Sequence, residues 1–220
     1  MKYLKRFELF EAIIIPQKIE SDLTINSFDD LVEYGKQNEF DVVDYDDFHN
    51  SLTDADKKNA PPKVGVPFFA LFHPERKVPM FVLNDERIIQ RIPNFKEIVD
   101  DIIGHEKIHK EQSIRKGDVE YSLPNPIEQN KYFSNKEEIM AFSWTIANDL
   151  SKKSQTVEDA IHRLDTKGFE KSQWKQIWST INRVCDENIL KRYRKYIYLY
   201  LEDILSPEQE ENIHTKISKR

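Results

Sequence analysis

The sequence predicts an α+β protein that is mostly helical, with a pair of short strands ahead of a series of amphipathic helices. Three observations predict it. Apolar residues recur at helical spacing through most of the second half, most plainly as Ile139, Phe142, Ile146 and Leu150. Two apolar runs, 64–72 and 78–83, flank the polar connection His73-Pro74-Glu75-Arg76-Lys77, which has the length and composition of a hairpin. The chain has 220 residues, of which 33% are charged, and a mean hydropathy of −0.68. That describes a polar surface around one sizeable core, since a chain of this length buries roughly 70% of its unfolded surface.

Taken in order, residues 7–15 form an apolar, β-branched segment that fits either a strand or a buried helical turn. Ser27, with Asp30 three residues on, predicts a helix start; Phe28, Leu31 and Val32 give its apolar face and Gly35 marks its end. Residues 50–63 read as a polar linker closed by Pro61 and Pro62. The hairpin follows. Ile88, Ile89 and Ile92 then turn the spacing helical, and past Pro93 the stripe Phe95, Ile98, Val99, Ile102 and Ile103 predicts a helix over 94–112.

Residues 113–133 have no period, contain Gly117, Pro124 and Pro126, and are long for an ordinary connection; loops of that kind are often functional. Ser134 with Glu137 predicts a capping box, with Glu137 reaching back to the backbone and a helix following. Thr156 with Asp159 starts another helix that Gly168 ends, and residues 174–205 predict one or two long helices. Ser206-Pro207, with Gln209, caps a last helix running through Ile217.

Composition excludes several classes. The single cysteine, Cys185, rules out an intramolecular disulfide and any multi-cysteine zinc cluster, and fits a reducing compartment. Lys2, Lys5 and Arg6 are followed by apolar residues broken by Glu8, Glu11 and Pro16, so no signal peptide is predicted. The longest apolar run, 66–72, is far short of the ~20 residues of a membrane span. A cytoplasmic protein without membrane contact is therefore expected. Net charge is 33 − 39 = −6, which argues against nucleic acid as a partner. Few glycines, 5 in all, with many Lys, Ile and Asn, fit an AT-rich coding genome such as that of a phage or bacterium.

One motif carries chemistry: His105-Glu106-Lys107-Ile108-His109, inside the helix predicted over 94–112. Residues four apart on a helix lie one above the other, so both imidazoles face one side and can grip one zinc. Glu106 sits one position along, near a metal-bound water yet off the ligand line, where a general base for hydrolysis belongs. With six His and 21 Glu in the chain, chance supplies about 0.015 such matches, so coincidence is a poor explanation. A hydrolytic zinc needs a third ligand and an open position. Glu137 and Glu138 are the nearby carboxylates; Glu138 borders the buried stripe of the next helix, whereas Glu137 is accounted for as a cap residue. A solvated Glu138 on a helix edge is the alternative.

The stretch Gly104-His105-Glu106-Lys107-Ile108-His109-Lys110-Glu111-Gln112, followed by Tyr132-Phe133-Ser134-Asn135-Lys136-Glu137-Glu138-Ile139-Met140-Ala141-Phe142, resembles small gluzincin-type zinc metallopeptidases of zincin-like fold. The resemblance covers about residues 64–150. It implies Zn2+ held by His105, His109 and Glu138, Glu106 as base and proton shuttle, and a peptide or protein substrate lying along the edge of the strand pair. Many members place an Asp four residues after the ligand Glu to orient a histidine; here that position is Phe142. The donor to the oxyanion is left among Tyr121, Tyr132, His162 and His214.

Three regions are expected: an N-terminal mixed α/β segment over 1–60 packed on the core, the zincin-like unit over 61–150, and a helical C-terminal extension over 151–220. The expected function is hydrolysis of peptide bonds by metal-activated water. The rival is a non-catalytic, zinc-stabilised structural or interaction protein. A weaker rival uses Lys191-Arg192-Tyr193-Arg194-Lys195-Tyr196 on nucleic acid, though helical spacing reads that stretch as a basic solvated face with Tyr193, Tyr196 and Ile197 or Tyr200 packed inward. Residues 41–47 are acidic but lack the Gly and closing Glu of a calcium loop, and read as a solvated edge or turn. Trp144, Trp174, Trp178 and Cys185 read as core.

Overall fold

The structure is a computed structural model and describes residues 22–58, 60–61, 63, 66–73, 77–116, 129–166 and 174–205. The segment 7–15, the stop at Gly168 and the last helix expected through Ile217 lie outside the described residues. The described chain is α+β and mostly helical, in the order α1 (Phe28–Gln37), β1 (Asp41–Asp44), α2 (Tyr45–Ser51), α3 (Asp54–Lys57), β2 (Phe68–His73), β3 (Val78–Leu83), α4 (Arg87–Arg91), α5 (Phe95–Lys116), α6 (Gln129–Ser134), α7 (Lys136–Ser151), α8 (Val157–Asp165), α9 (Lys175–Val184) and α10 (Glu187–Leu205). None of these helices is long and apolar enough to cross a membrane.

β2 and β3 pair antiparallel as the hairpin spacing predicts, from Phe68↔Leu83 to His73↔Val78. β1 joins them parallel to β3, so the strand order is β1-β3-β2 and β3 is central. Its continuous apolar run follows from burial on both faces. Phe81 and Leu83 pack with Phe95, Val99 and Ile103 of α5, while Met80 and Val82 pack with Phe48 of α2 on the other side. Of residues 41–47, read as a solvated edge or turn, Asp41–Asp44 form the edge strand of the sheet and the rest opens α2, which Asp44 caps by accepting from the Asp47 N–H.

Other boundaries also move. Ser27 caps α1 by accepting from Asp30 N–H, but the helix runs past Gly35 to Gln37. Gly35 sits mid-helix because a Cβ there would stand 2.7 Å from the Phe40 carbonyl oxygen and 2.9 Å from a Val42 methyl, so close approach requires it. The polar linker over 50–63 holds the end of α2 and the short helix α3, capped by Thr53. Within 113–133, α5 extends to Lys116 and α6 occupies the last part. Ser134 ends α6 rather than capping α7; Asn135 is the cap, its side chain accepting from Glu137 N–H.

The helical core runs from Ile108 through α6, α7, α8 and α9 to Leu201 of α10. Trp144, Trp174, Trp178 and Cys185 all lie in it, as their apolar surroundings predict. Residues 174–205 form two helices, α9 and α10, parted at Cys185 and Asp186. Tyr193, Tyr196, Ile197 and Tyr200 face inward, and two basic residues of the stretch are paired outside, Lys191 with Glu187 and Arg194 with Asp165. That is a solvated helix face. Asp101 of α5, fully buried, ties the layers together by accepting from Asn148, Lys152 and the Trp174 indole.

Candidate metal centre

Two helices build the site. α5 carries His105 and His109 on its buried side, and α7 packs along it with Glu138 in its first turn. Their close approach depends on Gly104, whose missing side chain makes room for the Trp144 ring; a Cβ there would lie 2.0 Å from it. All three expected ligand residues therefore meet.

His109 Nε2 lies 3.2 Å from His105 Nε2, and the Glu138 oxygens lie 3.5 Å and 3.6 Å from the two nitrogens. Ligand atoms at zinc–nitrogen and zinc–oxygen bond lengths around a tetrahedral centre stand about 3.3 Å apart. The trio has that spacing. One oxygen, Glu138 Oε2, is buried without a hydrogen-bond donor.

The outer nitrogens fix what faces inward. His109 Nδ1 is 3.0 Å from Gln112 Oε1, whose amide nitrogen donates to the Glu137 carbonyl at 3.2 Å. A carbonyl only accepts, so the amide oxygen is the end turned to His109, and Nδ1 must donate. His105 Nδ1 lies 3.4 Å from Thr145 Oγ1, which gives its proton to the Ala141 carbonyl at 3.0 Å. Nδ1 donates there as well. When neutral, each imidazole thus presents its Nε2 lone pair to the other and to a carboxylate. Three acceptors converging in a buried place require a cation or a proton between them.

The electrostatics agree. Burial alone would raise the Glu138 carboxyl and lower His109. Instead the imidazoles hold Glu138 well below the usual carboxylate range, and Glu138 raises His109 to about 9. The donor set, two imidazole nitrogens and one carboxylate, suits zinc.

Glu106 is 9% exposed and turned toward β2. Burial pushes its carboxyl up; the two histidines and the Phe72 backbone N–H pull against that, and Glu138 adds to it. The availability of that N–H follows from the register. Phe72 pairs with Pro79, which has no N–H, so the pair is not the hydrogen-bonded kind and Phe72 points its own N–H and C=O away from β3. Among the described residues, β2 has no strand on that side.

Tyr132 is also brought in. Its ring packs against Phe142 at 6.0 Å, and burial together with the neighbouring Glu138 and Glu106 carboxylates raises its phenol well above the ordinary value. His162 is exposed on α8, and Tyr121 and His214 lie outside the described residues. Phe142 covers the His105 ring at 4.4 Å, while Thr145, one turn further along α7, supplies the oxygen that orients it. Sequence reading missed Gln112 and Thr145; the available signal was position, three residues beyond His109 and seven beyond Glu138 on the same helix faces. Comparison with protein-family models, curated proteins and solved structures returns no match.

Proposed function

We propose that this protein is a zinc-dependent peptidase of gluzincin type, with His105, His109 and Glu138 as ligands and Glu106 as general base. One observation carries the reading: three acceptors, one buried and two half-buried, converge near zinc-ligand spacing, with both outer histidine nitrogens already committed as donors. Zinc held there supplies Lewis acidity toward a carbonyl oxygen and toward water. Glu106, with a carboxyl raised by burial, takes the proton from attacking water and later delivers it to the leaving amine. Phe72 N–H steadies that carboxylate. The edge of β2 that no described strand covers offers outward backbone groups beside which an extended peptide chain can pair.

The second reading is a zinc site that only stabilises the fold, and the depth of the ligands favours it: the side chains of His105, His109 and Glu138 are 8%, 17% and 14% exposed. Glu106→Gln separates the two. The variant keeps shape and all three ligands, so it is expected to retain zinc and lose hydrolysis of a mixed peptide library by about 10²-fold to 10⁴-fold, read as product ends by mass spectrometry. Zinc-loaded wild type that cleaves nothing above the variant's background would favour the structural reading.

A further inference from the structure

Gln112 is 7% exposed and lies near the C-terminal end of α5, where it makes two contacts that run in opposite senses. Its oxygen accepts from His109 Nδ1. Its nitrogen donates to the carbonyl of Glu137, the residue before the third ligand. These bonds close a ring: His109 to Gln112, Gln112 to Glu137, Glu137 through one peptide to Glu138, and Glu138 back to His109 at 3.6 Å. The Glu137 carbonyl belongs to the first turn of α7, where the helix itself also supplies it with a donor four residues on.

From this geometry we infer that Gln112 is a positioning residue that sets the metal-binding tautomer of His109 and locks it in register with Glu138. The inference rests on the metal reading of the site, not on peptidase activity. Three features single out an amide. A carboxylate would accept from His109 but meet the Glu137 carbonyl oxygen with a second acceptor. An ammonium would satisfy the carbonyl but oppose the Nδ1 proton and force the ring to turn. An apolar side chain of equal length would leave His109 without an orienting partner, a loss that typically weakens metal binding 10-fold to 100-fold.

The test is zinc affinity of the full chain by competition with a chromophoric chelator, for wild type, Gln112→Glu, Gln112→Met and Gln112→Lys. Each metal-free form is also melted, and each cobalt-loaded form is examined by visible absorption. The Met and Lys variants are expected to lose 10-fold to 100-fold in affinity and to change the cobalt spectrum, the Met variant while melting close to wild type. The Glu variant keeps the acceptor for His109 but loses the bond to the Glu137 carbonyl, so it is expected to lose less than the Met and Lys variants, about 3-fold to 10-fold. Met or Lys variants that bind like wild type would overturn the inference. So would equal losses in all three that track melting temperature, since that pattern belongs to packing. If the Met variant fails to fold, the Lys and Glu variants decide by the same comparison. Wild type that binds zinc without cleaving peptides retires the peptidase reading alone; wild type that binds no metal retires both.

Discussion

Gly104→Ala is the most informative structural perturbation, because local and tertiary effects have opposite signs. In an isolated helix the change would stabilise α5 by about 1 kcal/mol, the difference in propensity between alanine and glycine. Here the new methyl would stand 2.0 Å and 2.2 Å from two Trp144 ring carbons, where carbon atoms normally rest at about 3.5–4.0 Å. Trp144 is packed in the helical core, so the contact is relieved only by turning its ring against those neighbours or by moving α5 and α7 apart. Overpacking of this kind costs about 1–3 kcal/mol and outweighs the propensity gain. Moving the helices apart would carry Glu138 away from the imidazoles that it meets at 3.5 Å and 3.6 Å. The expected result is a lower melting temperature for the metal-free variant and a zinc affinity reduced at least 10-fold by chelator competition. A double-mutant cycle with Trp144→Leu should show coupling of at least about 1 kcal/mol, as expected for residues in contact. A Gly104→Ala protein that melts higher and binds zinc unchanged would refute the claim that this contact sets the site.

Further outcomes follow from the same geometry. Glu138→Gln is expected to weaken zinc binding far more than Glu137→Gln, since only Glu138 faces both imidazoles; the reverse order in chelator titrations would move the third ligand by one residue. In the metal-free protein His109 is raised from its ordinary value to about 9 by Glu138, so its pairing adds stability that is full below pH 6.5 and is lost as pH rises through 9. Zinc must displace that proton. Calorimetry in two buffers at pH 7 should record close to one proton released, and apparent affinity should rise with pH until about 9; affinity independent of pH would contradict the pairing. Asp101→Leu leaves Lys152 and the Trp174 indole without their acceptor and should cost about 3 kcal/mol in urea unfolding; a neutral result would mean the buried carboxylate does not tie α5 to α7 and α9.

Several of these features could be read in the chain because they depend on local rules. Ser27 and Thr156 cap helices as their spacing predicts, the hairpin falls between two apolar runs, and a five-residue motif placed His105 and His109 on one helix face. What escaped depends on contacts between distant residues. Residues 41–47 read as a solvated edge or turn because Asp41-Val42-Val43-Asp44 is too short and too acidic to show a strand period, and only pairing with β3 makes Asp41–Asp44 a strand. Ser134 and Asn135 are both good cap residues, and the end of α6 decides between them. Gly35 resembles a helix stop until Phe40 and Val42 are seen packed over it. Gln112 and Thr145 are ordinary polar residues in helices, and nothing in a single sequence says that α7 lies close enough to use them.

Metal content tests the central claim most directly. Protein purified without added metal or chelator, then measured by plasma mass spectrometry against protein concentration, should carry close to one zinc per chain, and His105→Ala and His109→Ala should each lose most of it while remaining folded. Wild type that stays free of zinc after incubation and dialysis, or full zinc in both variants, would contradict the assignment of His105, His109 and Glu138 as a metal site.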